Sequence, residues 1–210
     1  APPTGVITGD TTGAIIGAFQ DHIIPTLLGR DVDELETLTQ DIQHCIVKNN
    51  SAKAAADMAL WDLYGKQYNI PVYKLWGGCR KQLTTDITIS VNPPEQMAAD
   101  AIQAVQRGYD TLKVKVGIQP SLDVERLQAI RNAVGSAVRL RIDANQAWKP
   151  KQAVMLLQQM QEKGLDIELV EQPVIAQDID GLKYVTDRSP IPVLADESVF
   201  SVQDALHILQ

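Results

Sequence analysis

The 210 residues include 26 Asp and Glu against 19 Lys and Arg, a net charge of -7, with 45% hydrophobic and 21% charged residues. This balance allows a sizeable buried core and excludes a disordered or fibrous chain; it also disfavours nucleic acid or an anionic membrane as partner, because phosphate binding draws on clustered cations, while it suits a divalent cation. Cys45 and Cys79 lack the paired spacing of a disulfide framework or zinc site, and neither an apolar run of about 18 residues nor a signal-peptide pattern is found, so a reducing, cytoplasmic setting is expected.

Residues 1 to 83 read as helical. DVDELETLTQDIQHCIV carries apolar residues at 32, 35, 38, 42 and 46, the period of an amphipathic helix. Ser51 is expected to cap the Ala-rich SAKAAADMALWDLYGKQ, with Ala55, Met58, Ala59 and Leu63 facing a core. NIPVYKLWGGCR, with Pro71 and Gly77-Gly78 as breakers, marks a domain boundary. From Leu83 onward, strand-like LTTDITISV, TLKVKVG, AVRLRIDAN, IELVEQP and IPVLADES alternate with helical segments, and Gly108, Gly135 and Gly164 fall where C-caps belong. Repeated βα units predict an α/β fold with a parallel sheet, either doubly wound or a barrel. Residues 84 to 210 hold five such units, whereas an eight-unit barrel takes about 250 residues. A barrel here would be cut off partway.

Ligand sites in such sheets lie at the C-terminal ends of the strands. The third strand ends in Asp143, the fourth in Glu171 and the fifth in Asp196, followed by Glu197; the first three are 28 and 25 residues apart, one βα unit each. Taken singly, each could be a helix N-cap or a solvated loop residue. Three in successive units point to a shared cation, and a set made only of carboxylates favours Mg²⁺ over zinc. None of the three histidines, His22, His44 and His207, falls at a strand end.

In TLKVKVG, alternation puts Lys113 and Lys115 on one face and Leu112, Val114 and Val116 on the other. An antiparallel sheet with one wet face would make this ordinary. In a helix-covered barrel the apolar face meets the helices, and the lysines turn inward one strand before Asp143. Burial, a like-charged neighbour and a divalent cation would each depress a lysine pKa, leaving one neutral enough to act as a base. Lysine beside Mg²⁺ suggests proton abstraction next to a carboxylate, with the metal stabilising the enediolate.

Lys-x-Lys on the second strand, with Asp, Glu and Asp ending the next three, resembles the muconate-lactonizing subgroup of the enolase superfamily, whose pairing of a Lys or His base with Mg²⁺ is a known pattern. APPTGVITGDT, SAKAAADMALWDLYG, TISVNPPEQMAADA, RIDANQAWKPKQAV, IELVEQPV and LADESVF resemble the dipeptide epimerases of that subgroup. The resemblance implies a TIM-type β/α barrel, incomplete here (84 to 210), preceded by the helical portion of an α+β capping domain (1 to 83). It implies a small-molecule dipeptide substrate of the L-Ala-D/L-Glu type from peptidoglycan-peptide metabolism, and leaves a homo-oligomer open. Lys115 would be one of two acid/base catalysts flanking the α-carbon of the C-terminal residue. Lys113 would support the substrate carboxylate and lower its neighbour's basicity. Asp143, Glu171 and Asp196 would bind Mg²⁺, with Asn145 and Glu197 behind them, and Thr88 would touch substrate. APPTGVITGD resembles a loop that closes over substrate. The family's second base, a lysine ending the sixth strand, and its acidic pair on the eighth-strand loop would lie past Gln210, so a part of a longer enzyme is expected. Related β-elimination or cycloisomerisation, such as o-succinylbenzoate synthesis, would use the same residues; a noncatalytic half-barrel binding protein would have little need of five buried charges.

Overall fold

The computed structural model describes residues 3–80 and 82–209. The chain folds as two compact units, Ala1–Leu83 and Thr84–Gln210.

The first unit is helical. Helix α1 (Thr12–Ala18) begins at Thr11, whose hydroxyl accepts from the Ala14 N–H, and runs through a π segment, Phe19–Ile23, into α2 (Ile24–Leu27). Pro25 has no N–H to donate and its ring crowds the carbonyl four residues back, at Asp21; the wider π turn falls where that clash would occur. A 3₁₀ turn, Val32–Glu34, leads into α3 (Leu35–His44), followed by α4 (Asn50–Gln67) and α5 (Val72–Leu75). The core is built from Ile23, Leu38, Ile42, Ala52, Ala56 and Leu60.

Two expectations about α4 are corrected. Asn49, in a left-handed conformation, occupies the N-cap without a side-chain cap bond, while Ser51 lies in the first turn and donates its hydroxyl to Asp10 at 2.5 Å. The buried stripe is Ala52, Ala56 and Leu60, and Met58 and Leu63 are exposed. Apolar residues lie on nearly every face of this helix, so their spacing does not decide which one turns inward.

The second unit alternates strand and helix: β1 (Ile87–Ile89), α6 (Pro94–Gln106), β2 (Thr111–Lys115), α7 (Pro120–Val134), β3 (Arg139–Asp143), α8 (Pro150–Glu162), β4 (Ile167–Glu171), α9 (Ile179–Thr186), β5 (Val193–Leu194) and α10 (Val202–Ile208). Proline opens α6, α7 and α8, where its fixed φ suits the first turn and its missing N–H costs nothing. The strands are parallel and lie in sequence order, β1-β2-β3-β4-β5. A doubly wound sheet reverses its order partway, so this sheet takes the barrel alternative. Leu112, Val114, Leu140, Ile142 and Val170 are fully buried in one core with Met97, Leu127, Ile130, Leu157 and Met160 of the helices. Among the described residues no helix is long and apolar enough to cross a membrane, and Cys45 and Cys79 are free thiols.

Candidate active site

Register sets the rows of the inner face. Lys115 pairs with Asp143 and Asp143 with Glu171, while one step below Thr88, Lys113, Arg141 and Leu169 form the next row. Glu171 pairs with Leu194, two residues before Asp196. With Leu112 and Val114 turned to the helices, Lys113 and Lys115 have only the carboxylate side to face. Lys113 Nζ lies 2.7 Å from Glu171 Oε1 and 2.9 Å from Asp143 Oδ2, and Lys115 Nζ lies 2.6 Å from the same Asp143 oxygen and 2.6 Å from Asn145 Oδ1. Two lysines and two carboxylates therefore form one connected cluster at the C-terminal ends of β2, β3 and β4.

Its electrostatics are unequal. Burial pushes the Asp143 carboxyl up, but Lys115, Lys113 and the Asn145 N–H outweigh it and hold its pKa below the ordinary value. Burial also raises Glu171; Lys113 opposes this, the carboxylates of Asp143 and Asp196 add to it, and the net shift is upward. Burial disfavours the Lys113 ammonium, yet its hydrogen bonds to Glu171 and Asp143 prevail, so its pKa is raised. In this arrangement Lys113 is a counter-charge that both carboxylates use.

The loop after β3 turns sharply. Asn145 and Gln146 both have left-handed backbones (φ 42° and 69°). The Asn145 N–H donates to Asp143 Oδ1 at 2.9 Å, and its amide nitrogen donates to Glu197 Oε1 at 3.2 Å. Glu197 is buried, and its other oxygen has no hydrogen-bond partner among the described residues. Asp196 is exposed. Thr88, also exposed, sits beside Lys113 across the β1/β2 pairing. After β2, Gly117 must be glycine: its φ is 99°, and a Cβ there would come within 2.4 Å of Ala147 Cβ and 3.0 Å of the Ala144 carbonyl.

Asp143, Glu171 and Asp196 offer only oxygen donors, from three neighbouring strands, and Glu171 feels the charge of both others. That chemistry fits a hard cation such as Mg²⁺. As placed, no three His, Cys, Asp or Glu side chains among the described residues stand in one group that could hold an ion, and Lys113 pairs with both Asp143 and Glu171. The buried, unpartnered Glu197 oxygen behind the cluster is a second sign of a site short of positive charge or a donor.

Residues 96–210 match the family described as enolase C-terminal domain-like, and residues 4–77 match the mandelate racemase / muconate lactonizing enzyme N-terminal domain. The chain belongs to the enolase superfamily. Its fold is the superfamily's (β/α) barrel, represented by five units, preceded by part of an α+β capping domain. An L-Ala-D/L-Glu epimerase from Clostridium acetobutylicum is 53% identical over all 210 residues, which cover 59% of that protein. A substrate-liganded L-Ala-D/L-Glu epimerase from Bacillus subtilis is 50% identical with a TM-score of 0.95, over 100% of this chain and 59% of its own. A dipeptide epimerase from Enterococcus faecalis, complexed with Mg and L-Leu-L-Tyr, is 40% identical with a TM-score of 0.92, over 99% of this chain and 58% of its own. The chain thus spans a little under three fifths of these relatives.

Several polar side chains of this superfamily member escape a reading of strand ends. A register shift between Leu140 and Arg141 puts a bulge in β4 at Glu168, which then meets Arg141 at 2.5 Å; Arg141 also reaches Asp86 at 3.2 Å. Simple alternation would send Glu168 to the helix side with Val170. The signal available in sequence was Arg141 itself, a charge two residues before Asp143 and therefore on the same face. Asp123, wholly buried, accepts from the Gly117 N–H at 2.9 Å, Trp148 Nε1 at 3.2 Å and Arg126 at 3.1 Å, joining the loops after β2 and β3.

Proposed function

We propose that residues 84 to 210 are the first five βα units of the catalytic barrel of a dipeptide epimerase, and that residues 1 to 83 are part of its capping domain. The substrate proposed is of the L-Ala-D/L-Glu type, and the proton moved is the one on the α-carbon of its C-terminal residue. The observation that carries this reading is the cluster of Lys113, Lys115, Asp143 and Glu171 on the inner face at the strand ends. The names of the relatives at 50 to 53% identity supply the substrate class.

In this reading Asp143, Glu171 and Asp196 hold Mg²⁺, with Asn145 and Glu197 supporting them from behind. The cation, when bound, neutralises charge that develops on the substrate carboxylate. Lys115 takes the α-proton on one face and returns it when the reaction runs backwards. It needs a free amine to do so, and Asn145 Oδ1, at 2.6 Å, gives its N–H groups a neutral acceptor beside the charged one. Lys113, paired here with Asp143 and Glu171, would have its ammonium available for the substrate carboxylate if those two carboxylates held the cation. Thr88, next to Lys113, contacts substrate from the first strand. The second base lies outside these residues. Two free thiols are consistent with the reducing, cytoplasmic location proposed for the enzyme.

Incubating the full-length protein with Mg²⁺ and L-Ala-L-Glu in deuterated water, and following the Glu α-proton by NMR, tests the proposal. Loss of the signal together with appearance of the D-Glu epimer is expected. Retention of the proton with every Ala-Glu isomer would sink the dipeptide reading and leave family membership intact.

A further inference from the structure

Gln172 follows Glu171 directly, is fully buried, and has a left-handed backbone (φ 37°). A non-glycine residue keeps that conformation only where its surroundings over-determine it. They do so here. The Gln172 N–H donates to the Leu194 carbonyl at 2.8 Å, and its own carbonyl accepts from the Gln146 N–H at 2.8 Å. Its side-chain oxygen accepts from the backbone N–H groups of Asp196, at 2.8 Å, and Ser198, at 3.2 Å. Its side-chain nitrogen donates to the Val174 carbonyl at 3.0 Å and the Ser198 hydroxyl at 2.7 Å, and that hydroxyl donates on to the Ala176 carbonyl at 2.9 Å.

All four hydrogen-bonding positions of the carboxamide are thus filled from within the protein. A carboxylate could not donate two of these bonds, and an ammonium could not accept the other two. Nothing remains for a ligand, so the side chain works on the backbone. One of its neighbours is Glu171, by covalent bond, and another is Asp196, by its N–H. Gln146 repeats the device one strand earlier, with a left-handed backbone and a side-chain oxygen that accepts from the Ala176 N–H at 2.9 Å.

We infer that Gln172 is a positioning residue that sets the spacing of Glu171 and Asp196, and through it the affinity for a divalent cation, without touching ion or substrate. The inference rests on the cation site proposed above. In the full-length protein, Gln172→Gly leaves the left-handed backbone available and deletes the carboxamide. Its Mn²⁺ dissociation constant, read from the EPR signal of free Mn²⁺, should rise about tenfold or more. The Asp196 and Ser198 amide protons should lose protection from exchange, and the metal-free protein should unfold at lower denaturant, because four polar groups lose their partner; the Mn²⁺ constant, read on the folded protein, is the quantity that a purely structural role would leave unchanged. Ser198→Ala removes one of the four bonds and should shift the Mn²⁺ constant the same way by a smaller factor, which also provides a reading if Gln172→Gly does not fold. Mn²⁺ affinity within about twofold of wild type, alongside unprotected Asp196 and Ser198 amides, would overturn the inference. A wild-type protein that binds no Mn²⁺ would overturn the cation site and the inference together, and the wild-type titration alone tells these failures apart.

Discussion

At the N-terminal end of the sheet the guanidinium of Arg131, 8% exposed, donates to four backbone carbonyls, those of Gly135, Val138, Leu165 and Asp166, at 2.6 to 3.0 Å. On the inner face of the sheet, Arg141 pairs with both Glu168 and Asp86. At the C-terminal end one Glu197 oxygen has no partner among the described residues, the Glu171 carboxyl is pushed up by burial and by its neighbours, and Asn145, Gln146 and Gln172 all hold left-handed backbones. Both ends border the same core. The first end turns the Arg131 guanidinium onto the backbone, including Asp166 with its own left-handed φ of 50°, and so holds the sheet together; what sets the other end apart is charge left unbalanced where a ligand would meet the strands. Substitutions at the two ends should therefore separate activity from stability.

The largest effect is expected at the C-terminal end. Lys115→Ala in the full-length protein should slow exchange of the α-proton from one stereoisomer by about 10³-fold, within the usual range for loss of a general base. Stability should change by only about 1 kcal/mol, because Asp143 keeps Lys113 at 2.9 Å and the Asn145 N–H at 2.9 Å. NMR in deuterated water with each isomer, alongside urea unfolding, measures both quantities. Equal exchange from both isomers would mean that Lys115 is not the base. Arg131→Met should give the opposite pattern. It leaves the buried Val138 and Leu165 carbonyls and the part-buried Gly135 and Asp166 carbonyls without this donor and should cost about 3 kcal/mol in urea unfolding, while kcat/KM per folded molecule stays at the wild-type level. A fall in kcat/KM at unchanged stability would erase the distinction between the ends.

What the sequence reveals follows the same division. The alternation in TLKVKVG and the acids closing RIDAN and LVEQP are local patterns, and they place Lys113, Lys115, Asp143 and Glu171 in one cluster because a parallel register with no shift between β2 and β3 carries local order across strands. Between β3 and β4 a bulge breaks the alternation and turns Glu168 toward Arg141, which no period-two reading anticipates. Gln172 looks like an ordinary loop residue because its side-chain partners are three backbone groups and one hydroxyl, up to 26 positions away. In the Ala-rich helix Asn50–Gln67, periodicity fails for the opposite reason: too many apolar residues satisfy it, and packing selects Ala52, Ala56 and Leu60. Patterns of charge against an apolar background are legible one strand at a time. Hydrogen bonds between loops are not.

Asp123 makes the finest test of the contrast, since it sits among the loops of the C-terminal end but is as fully partnered as Arg131. Burial raises its pKa above the ordinary 3.8, and the hydrogen bonds from Gly117, Trp148 and Arg126 do not fully offset it. The folded chain therefore holds this proton more tightly than the unfolded chain. As pH rises from 3.8 through the raised folded value, the unfolded state loses its proton first and the stability contributed by Asp123 falls, levelling off above that value. Asp123→Asn has no such fall. At pH 7 the variant should be the less stable of the two, because its NH₂ group faces a donor and the buried Arg126 loses its counter-charge, which relief from burying a carboxylate offsets only in part. On acidification through the window, wild type should gain stability relative to the variant. Urea unfolding of both proteins at neutral pH and near pH 4 measures the difference, in which other carboxylates cancel. A gap of several kcal/mol at pH 7 that is insensitive to pH would mean that the three hydrogen bonds outweigh burial, and Asp123 would then belong with Arg131 among the groups that hold the sheet together.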